Sequence, residues 1–126
     1  VAVFVTKEFV RFQRKARLSD LDLIEAAERV RRGRWDADLG GGVFKQRIAR
    51  KGEGKSGGYR TILCFKRGSH VFFIHGFSKN EKQNVSQSEL QALKRLSKVL
   101  LNLGDEQIEA SLLRRELAQI GENSSG

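Results

Sequence analysis

The side chains best suited to phosphate chemistry fall in residues 45–82, KQRIARKGEGKSGGYRTILCFKRGSHVFFIHGFSKNEK. Ten basic side chains stand there against two acidic ones, Glu53 and Glu81, a local net of +8 in a chain whose formal net charge is +9. The charge is therefore concentrated on one segment, as expected of a face that meets a polyanion. Metal-independent RNA cleavage asks for such groups. The 2′-hydroxyl attacks the adjacent phosphorus, its proton must be taken up, the charge on the phosphorane must be offset, and the 5′-oxygen must be protonated. Arginine suits the second task because its planar fork holds two phosphate oxygens. Arg60, Lys55, Lys45 and Arg47 are the candidate catalytic set, with Arg60 as the phosphate clamp. A lysine would act as a base only if neighbouring positive charge lowered its pKa; otherwise it serves as an electrostatic contact. Arg50, Lys51, Lys79, Lys82 and His75 are candidates for holding RNA.

His75 could also do acid–base work or make a structural hydrogen bond. His70 begins its strand beside a turn and reads as a surface residue. Alternation along a strand puts the two histidines on opposite sides, against a paired-histidine mechanism. They form no zinc motif with Cys64, and nothing in the sequence calls for a metal or cofactor. Cys64 lies in an apolar segment and reads as a buried thiol. Tyr59 alternates away from Arg60 towards the core, unless a bulge after Gly57–Gly58 reverses it. Phe65, Phe72, Phe73 and Phe77 read as core, with stacking on a base open to any exposed one.

These residues need a scaffold. VAVFV at 1–5 reads as a strand, and Thr6 caps a helix with Phe9, Val10, Phe12 and Ala16 on one side. Ser19 and Asp22 form a capping box, flanked by Leu18 and Leu23 at staple positions, for a second helix ending near Gly33. Neither helix can bury its stripe alone, so residues 7–33 are expected as a helical hairpin on one face of a sheet. Trp35–Gly42 is the connection, with Trp35 a core anchor. The triple glycine lacks the Lys-Ser or Lys-Thr ending of a nucleotide-binding loop. Residues 43–51, 59–66 and 70–77 read as consecutive antiparallel strands joined by a mobile basic turn at 52–58 and a tight turn at 67–69. Val85-Ser86-x-x-Glu89-Leu90 begins a leucine-rich helix ending near Gly104. Asp105 begins another, with Ile108, Leu112, Leu113, Leu117 and Ile120 as its apolar positions. The expected fold is α+β: an N-terminal helical hairpin on a curved antiparallel sheet of about four strands, with C-terminal helices. A single domain over 1–121 and a flexible tail at 122–126 complete the layout.

The 126 residues suit one domain, and the hydrophobic fraction of 39% allows a modest core. No apolar run reaches membrane-span length, VAVFVTKEF lacks the features of a signal peptide, and a single cysteine fits a reducing compartment. A cytoplasmic protein without a membrane partner is expected.

KQRIARKGEGKSGGYRTILCF followed by HGFSKNEKQNVSQSEL resembles the RelE-type toxins of bacterial toxin–antitoxin systems, within the wider RelE/ParE superfamily and close to its HigB-like members. The likeness runs from TKEFVRFQRKARLSDLDL through LQALKRL. It implies an endoribonuclease that enters the ribosomal A site and cuts mRNA during translation. It implies a cognate antitoxin as partner and operator DNA bound only through the antitoxin complex. In the family pattern the basic residue of the GYR strand, here Arg60, engages the scissile phosphate. Basic residues of the preceding strand and its loop correspond to Lys45, Arg47 and Lys55, and one after the last strand to Lys79 or Lys82. In the best-known RelE toxins a tyrosine near the end of the basic segment acts on the 2′-hydroxyl or stacks on a base; the resemblance sets Ser86 at that position, a departure from a tyrosine-based mechanism.

Two other readings share the fold. A ParE-like protein would inhibit DNA gyrase, and a non-catalytic homologue would bind RNA or ribosomes without cutting. Dense charge at Lys45, Arg47, Lys55 and Arg60 favours cleavage over the first. The second predicts salt-dependent binding with no product.

Overall fold

Local signals set the first half of the chain. The computed structural model describes residues 2–49, 58–79 and 84–121. Strand β1 (Val3–Thr6) ends where the Thr6 hydroxyl accepts the Phe9 amide at 3.2 Å and starts helix α1 (Lys7–Ala16). Arg17, at φ 58°, stops α1. Its amide and that of Leu18 return to the carbonyls of Arg14 and Gln13, which closes the last turn. Helix α2 (Asp20–Arg31) carries the expected capping box: Ser19 Oγ accepts from the Asp22 amide at 3.0 Å, and Asp22 Oδ2 accepts from the Ser19 amide at 2.9 Å.

Five more strands follow: β2 (Ala37–Gly40), β3 (Val43–Ile48), β4 (Tyr59–Cys64), β5 (Val71–Ser78) and, after helices α3 (Gln87–Leu101) and α4 (Asp105–Leu113), β6 (Leu117–Ile120). The sheet order is β2-β3-β4-β5-β1-β6. All pairings are antiparallel except β1 with β5, which run parallel. The fold is α+β as expected, but the sheet has six strands rather than about four and is mixed rather than wholly antiparallel.

Both extra strands have a physical origin. Gly40, Gly41 and Gly42 all take positive φ (90°, 63° and 79°), so the presumed connection is a tight turn that folds Ala37–Gly40 back on β3. A Cβ on Gly42 would stand 2.9 Å from the Leu101 side chain. At the other end, Arg115 adopts φ 60° and ends the helix that the leucine spacing had extended to Ile120. Leu117–Ile120 then pairs with β1, satisfying an edge that would otherwise lie open.

The sheet lies between two apolar layers. On one face α1 and α2 bury Phe9, Leu23, Ala27 and Val30 against Val5, Phe44, Leu63 and Phe73. Helix α1 lies over β5 and β1 while α2 lies over β3, so each helix packs chiefly on the sheet. On the other face Leu100 and Ile108 pack with Phe4, Val43, Ile62 and Phe72. Trp35 is a rim residue rather than a core anchor: it keeps 37% of its surface exposed and packs at a tilt against Phe44 with ring centroids 4.6 Å apart. Among the described residues no helix is long and apolar enough to cross a membrane. The expected tail at 122–126, and all of the basic turn at 52–58 except Gly58, lie outside the described residues.

Candidate nucleic-acid interface

The site lies on the α3 side of the sheet, where that helix stops covering it. The C-terminal half of α3 is fastened over the start of β3: Ser97 Oγ donates to Gly41 O at 3.3 Å. Along this face of β3 exposure then rises, from buried Val43 through half-buried Lys45 to exposed Arg47. Ladder register extends the pattern across three strands. Lys45 pairs with Ile62 and Ile62 with His75; Arg47 pairs with Arg60 and Arg60 with Phe77. These two rungs, separated by the Gln46–Thr61–Gly76 rung that faces the other way, present Lys45, His75, Arg47, Arg60 and the ring of Phe77 on one side.

A bulge makes this grouping possible. The β4–β5 register shifts between Ile62, opposite His75, and Leu63, opposite Phe73, leaving Ile74 as the extra residue. Residues after it change parity, so His75 and Phe77 join the face of Phe72 and Ile74. Simple alternation had put His70 and His75 on opposite sides; instead His70 packs against Phe4 and Phe72 on this same face. His70 is not a surface residue. It is half-buried, and its Nδ1 accepts the Ala2 amide at 2.9 Å, which ties β1 to the start of β5. The ring centroids of His75 and Phe77 lie 5.9 Å apart. Tyr59 faces the helical core, as alternation predicted.

Each cation has a different environment. Lys45 Nζ donates to Asn84 Oδ1 at 3.0 Å, bringing the start of α3 to the edge of the site. Arg47 Nε lies 3.4 Å from Asp36 Oδ2, an oxygen that also accepts the Arg47 amide at 2.5 Å. Arg60 sits on the central strand, half-buried, and its Nη1 is buried without a hydrogen-bond acceptor among the described residues. Lys79 lies just past β5, its amide donating to Gly58 O at 3.3 Å. Lys55, Arg50, Lys51 and Lys82 lie outside the described residues.

Ser86, which the resemblance set against a tyrosine, is the N-cap of α3. Its Oγ accepts the Glu89 amide at 3.1 Å, which commits it to helix capping. Asn84 and Asp36 emerge only from the fold, because each lies far in sequence from the cation it holds. Cys64 is fully buried, and burial pushes its thiol up to about 12 against the opposing pull of a hydrogen bond with Ser97. It is a core residue, as expected. Among the described residues no three His, Cys, Asp or Glu side chains come together as a metal site.

A cationic, half-open rung of this kind fits a phosphodiester, and comparison with known families agrees with its setting. The family model described as "RelE toxin of RelE / RelB toxin-antitoxin system" matches residues 1–120. The chain belongs to the RelE toxin family. It is therefore the toxin of a toxin–antitoxin system, with a cognate antitoxin as its partner. No curated protein matches it significantly.

Proposed function

We propose that this RelE-family toxin is a ribosome-dependent mRNA endoribonuclease of the cytoplasm, acting in the A site by attack of the 2′-hydroxyl on the neighbouring phosphate. The observation that carries the reading is the rung Arg47–Arg60–Phe77 beside Lys45 and His75. Arg60 clamps the scissile phosphate. It is held on a central strand, which positions a side chain more firmly than a loop, and its Nη1 meets no hydrogen-bond acceptor among the described residues. Lys45 and Arg47 offset the charge that develops on the phosphorane, and Lys55 is assigned the same task. His75 contacts the RNA, its ring backed by the buried ring of Phe77. Arg50, Lys51, Lys79 and Lys82 extend the electrostatic contact along the message.

The test maps mRNA 5′ ends on translating ribosomes with the wild-type toxin and with Arg60→Ala. Translation-dependent cuts that vanish in the variant support the reading. Unchanged cuts remove Arg60 from the reaction, and toxicity with intact mRNA and DNA-damage signalling assigns the protein to gyrase inhibition.

A further inference from the structure

We propose that a second cleft, between the end of α2 and the open edge of β3, binds a backbone phosphate of the RNA strand that flanks the cut. The inference rests on the RNA-cleaving reading and extends its binding track. The cleft has a volume of about 340 Å³ and is lined by Arg29, Arg34, Asp36, Gln46, Arg47 and Ala49. Three guanidinium groups reach it from three segments: α2, the connection after it, and β3. Asp36 is the single acid in the lining, and its carboxylate is committed to the Arg47 backbone and guanidinium. Arg29 Nη2 donates to Arg47 O at 3.4 Å. The ladder between β2 and β3 reaches no further along β3 than Lys45, so these side chains satisfy the strand edge beyond it. Arg34 is exposed and has no side-chain hydrogen bond or ion pair among the described residues. Three positive charges against one negative leave the cleft short of anionic partners.

The chemistry selects phosphate over an acidic protein segment. Peptide docking relies on apolar anchors in desolvated pockets, and Ala49 is the one apolar residue here. Planar guanidinium forks hold phosphate oxygens in pairs. The position is also continuous with the candidate active site: Arg47 lines this cleft and stands opposite Arg60 on the neighbouring strand. A strand whose scissile phosphate meets Arg60 would pass Arg47 and set a following phosphate against Arg29 and Arg34.

The test uses a short, fluorescein-labelled, single-stranded RNA carrying 2′-O-methyl groups, which this chemistry cannot cut. Its affinity is measured against salt concentration for the wild type, Arg34→Ala, Arg34→Lys and Arg29→Ala/Arg34→Ala. One lost phosphate contact lowers the log–log salt slope by about 0.7 on a single strand. The slope is expected to fall by about that amount in Arg34→Ala, to fall no less in the double variant, and to return towards wild type in Arg34→Lys. An unchanged slope in Arg34→Ala overturns the proposal. So does an unchanged slope combined with weakened binding of the purified cognate antitoxin, which would assign the cleft to that protein. If the double variant fails to fold, Arg34→Ala decides alone, since the Arg34 side chain is exposed and makes no hydrogen bond or ion pair among the described residues. Because the probe is uncuttable, the result stands apart from whether Arg60→Ala abolishes cleavage.

Discussion

Arg47 and Arg60 occupy directly opposed positions on β3 and β4. Like charges in that relationship cost stability, roughly 0.2–1 kcal/mol for such a cross-strand pair. The fold relieves one of them: Asp36 engages Arg47 at the strand edge. It leaves Arg60 with a buried nitrogen that meets no acceptor among the described residues. An arrangement of this sort stores unfavourable electrostatics that an anion between the strands would discharge. Replacement of Arg60 by alanine should therefore separate function from stability. Cleavage on the ribosome should drop by about 100- to 1,000-fold, the loss of about 2.7–4 kcal/mol typical of one charge-stabilising donor. The melting temperature should not fall. A marked fall would make Arg60 a structural residue, whatever the cleavage assay reads.

Asp36 then becomes a brake on the same surface. Asp36→Asn keeps an oxygen for the Arg47 amide but removes the negative charge beside its guanidinium. The pair is partly exposed, so the stability lost should be small, roughly 0.2–1 kcal/mol. RNA binding should move the other way and tighten, most clearly at low salt where screening is weakest. Thermal melts and RNA titrations on one preparation check both signs. Weaker RNA binding in this variant would mean that Asp36 holds Arg47 in its working position.

Much of this was legible in the residues alone. Ser19 with Asp22 and Ser86 with Glu89 announced two helix starts that the structure keeps, because a cap is a local interaction over three residues. Basic residues at alternate positions of β3, with Arg60 on the next strand, gave the cationic face for the same reason. What escaped were features decided at a distance. Leu112, Leu117 and Ile120 fit a helical stripe, yet the free edge of β1 draws Leu117–Ile120 into the sheet. The Ile74 bulge reverses the parity of His75 and Phe77, and no residue type there marks it. Asn84 meets Lys45, and Asp36 meets Arg47, only because β2–β3 and the start of α3 converge on one end of the sheet.

Gly76 shows the same dependence on tertiary contact from the opposite face. It follows the bulge and points to the helical layer, where the ring of Phe12 occupies the space a Cβ would need. Phe12 in turn packs edge-on to Tyr59, with ring centroids 5.7 Å apart. Gly76→Ala should overpack this contact and cost about 1–3 kcal/mol. Combined with Phe12→Leu, much of that cost should disappear, giving a coupling energy of opposite sign to the single losses. Additive losses in chemical denaturation would show that the glycine is needed for its backbone rather than for the ring above it.

Cys64 offers a test of the core beneath the site. Its thiol is raised from 9.0 to about 12 chiefly by burial, with the Ser97 hydrogen bond pulling the other way. The unfolded chain would ionise this group near its ordinary value while the folded chain holds the proton. Between about pH 9 and pH 12 the unfolded state therefore binds fewer protons, and stability falls as pH rises; below about pH 9 this group contributes no slope. The wild type should lose stability faster than Cys64→Ala across that window, by up to about 1.4 kcal/mol per pH unit. Comparing the two proteins isolates the contribution of this one group. At neutral pH the native thiol should resist iodoacetamide under conditions that label the denatured chain at once. Rapid labelling of the folded protein, or parallel pH profiles for the two chains, would mean that α3 lifts from the sheet and opens the Ser97–Cys64 contact to water.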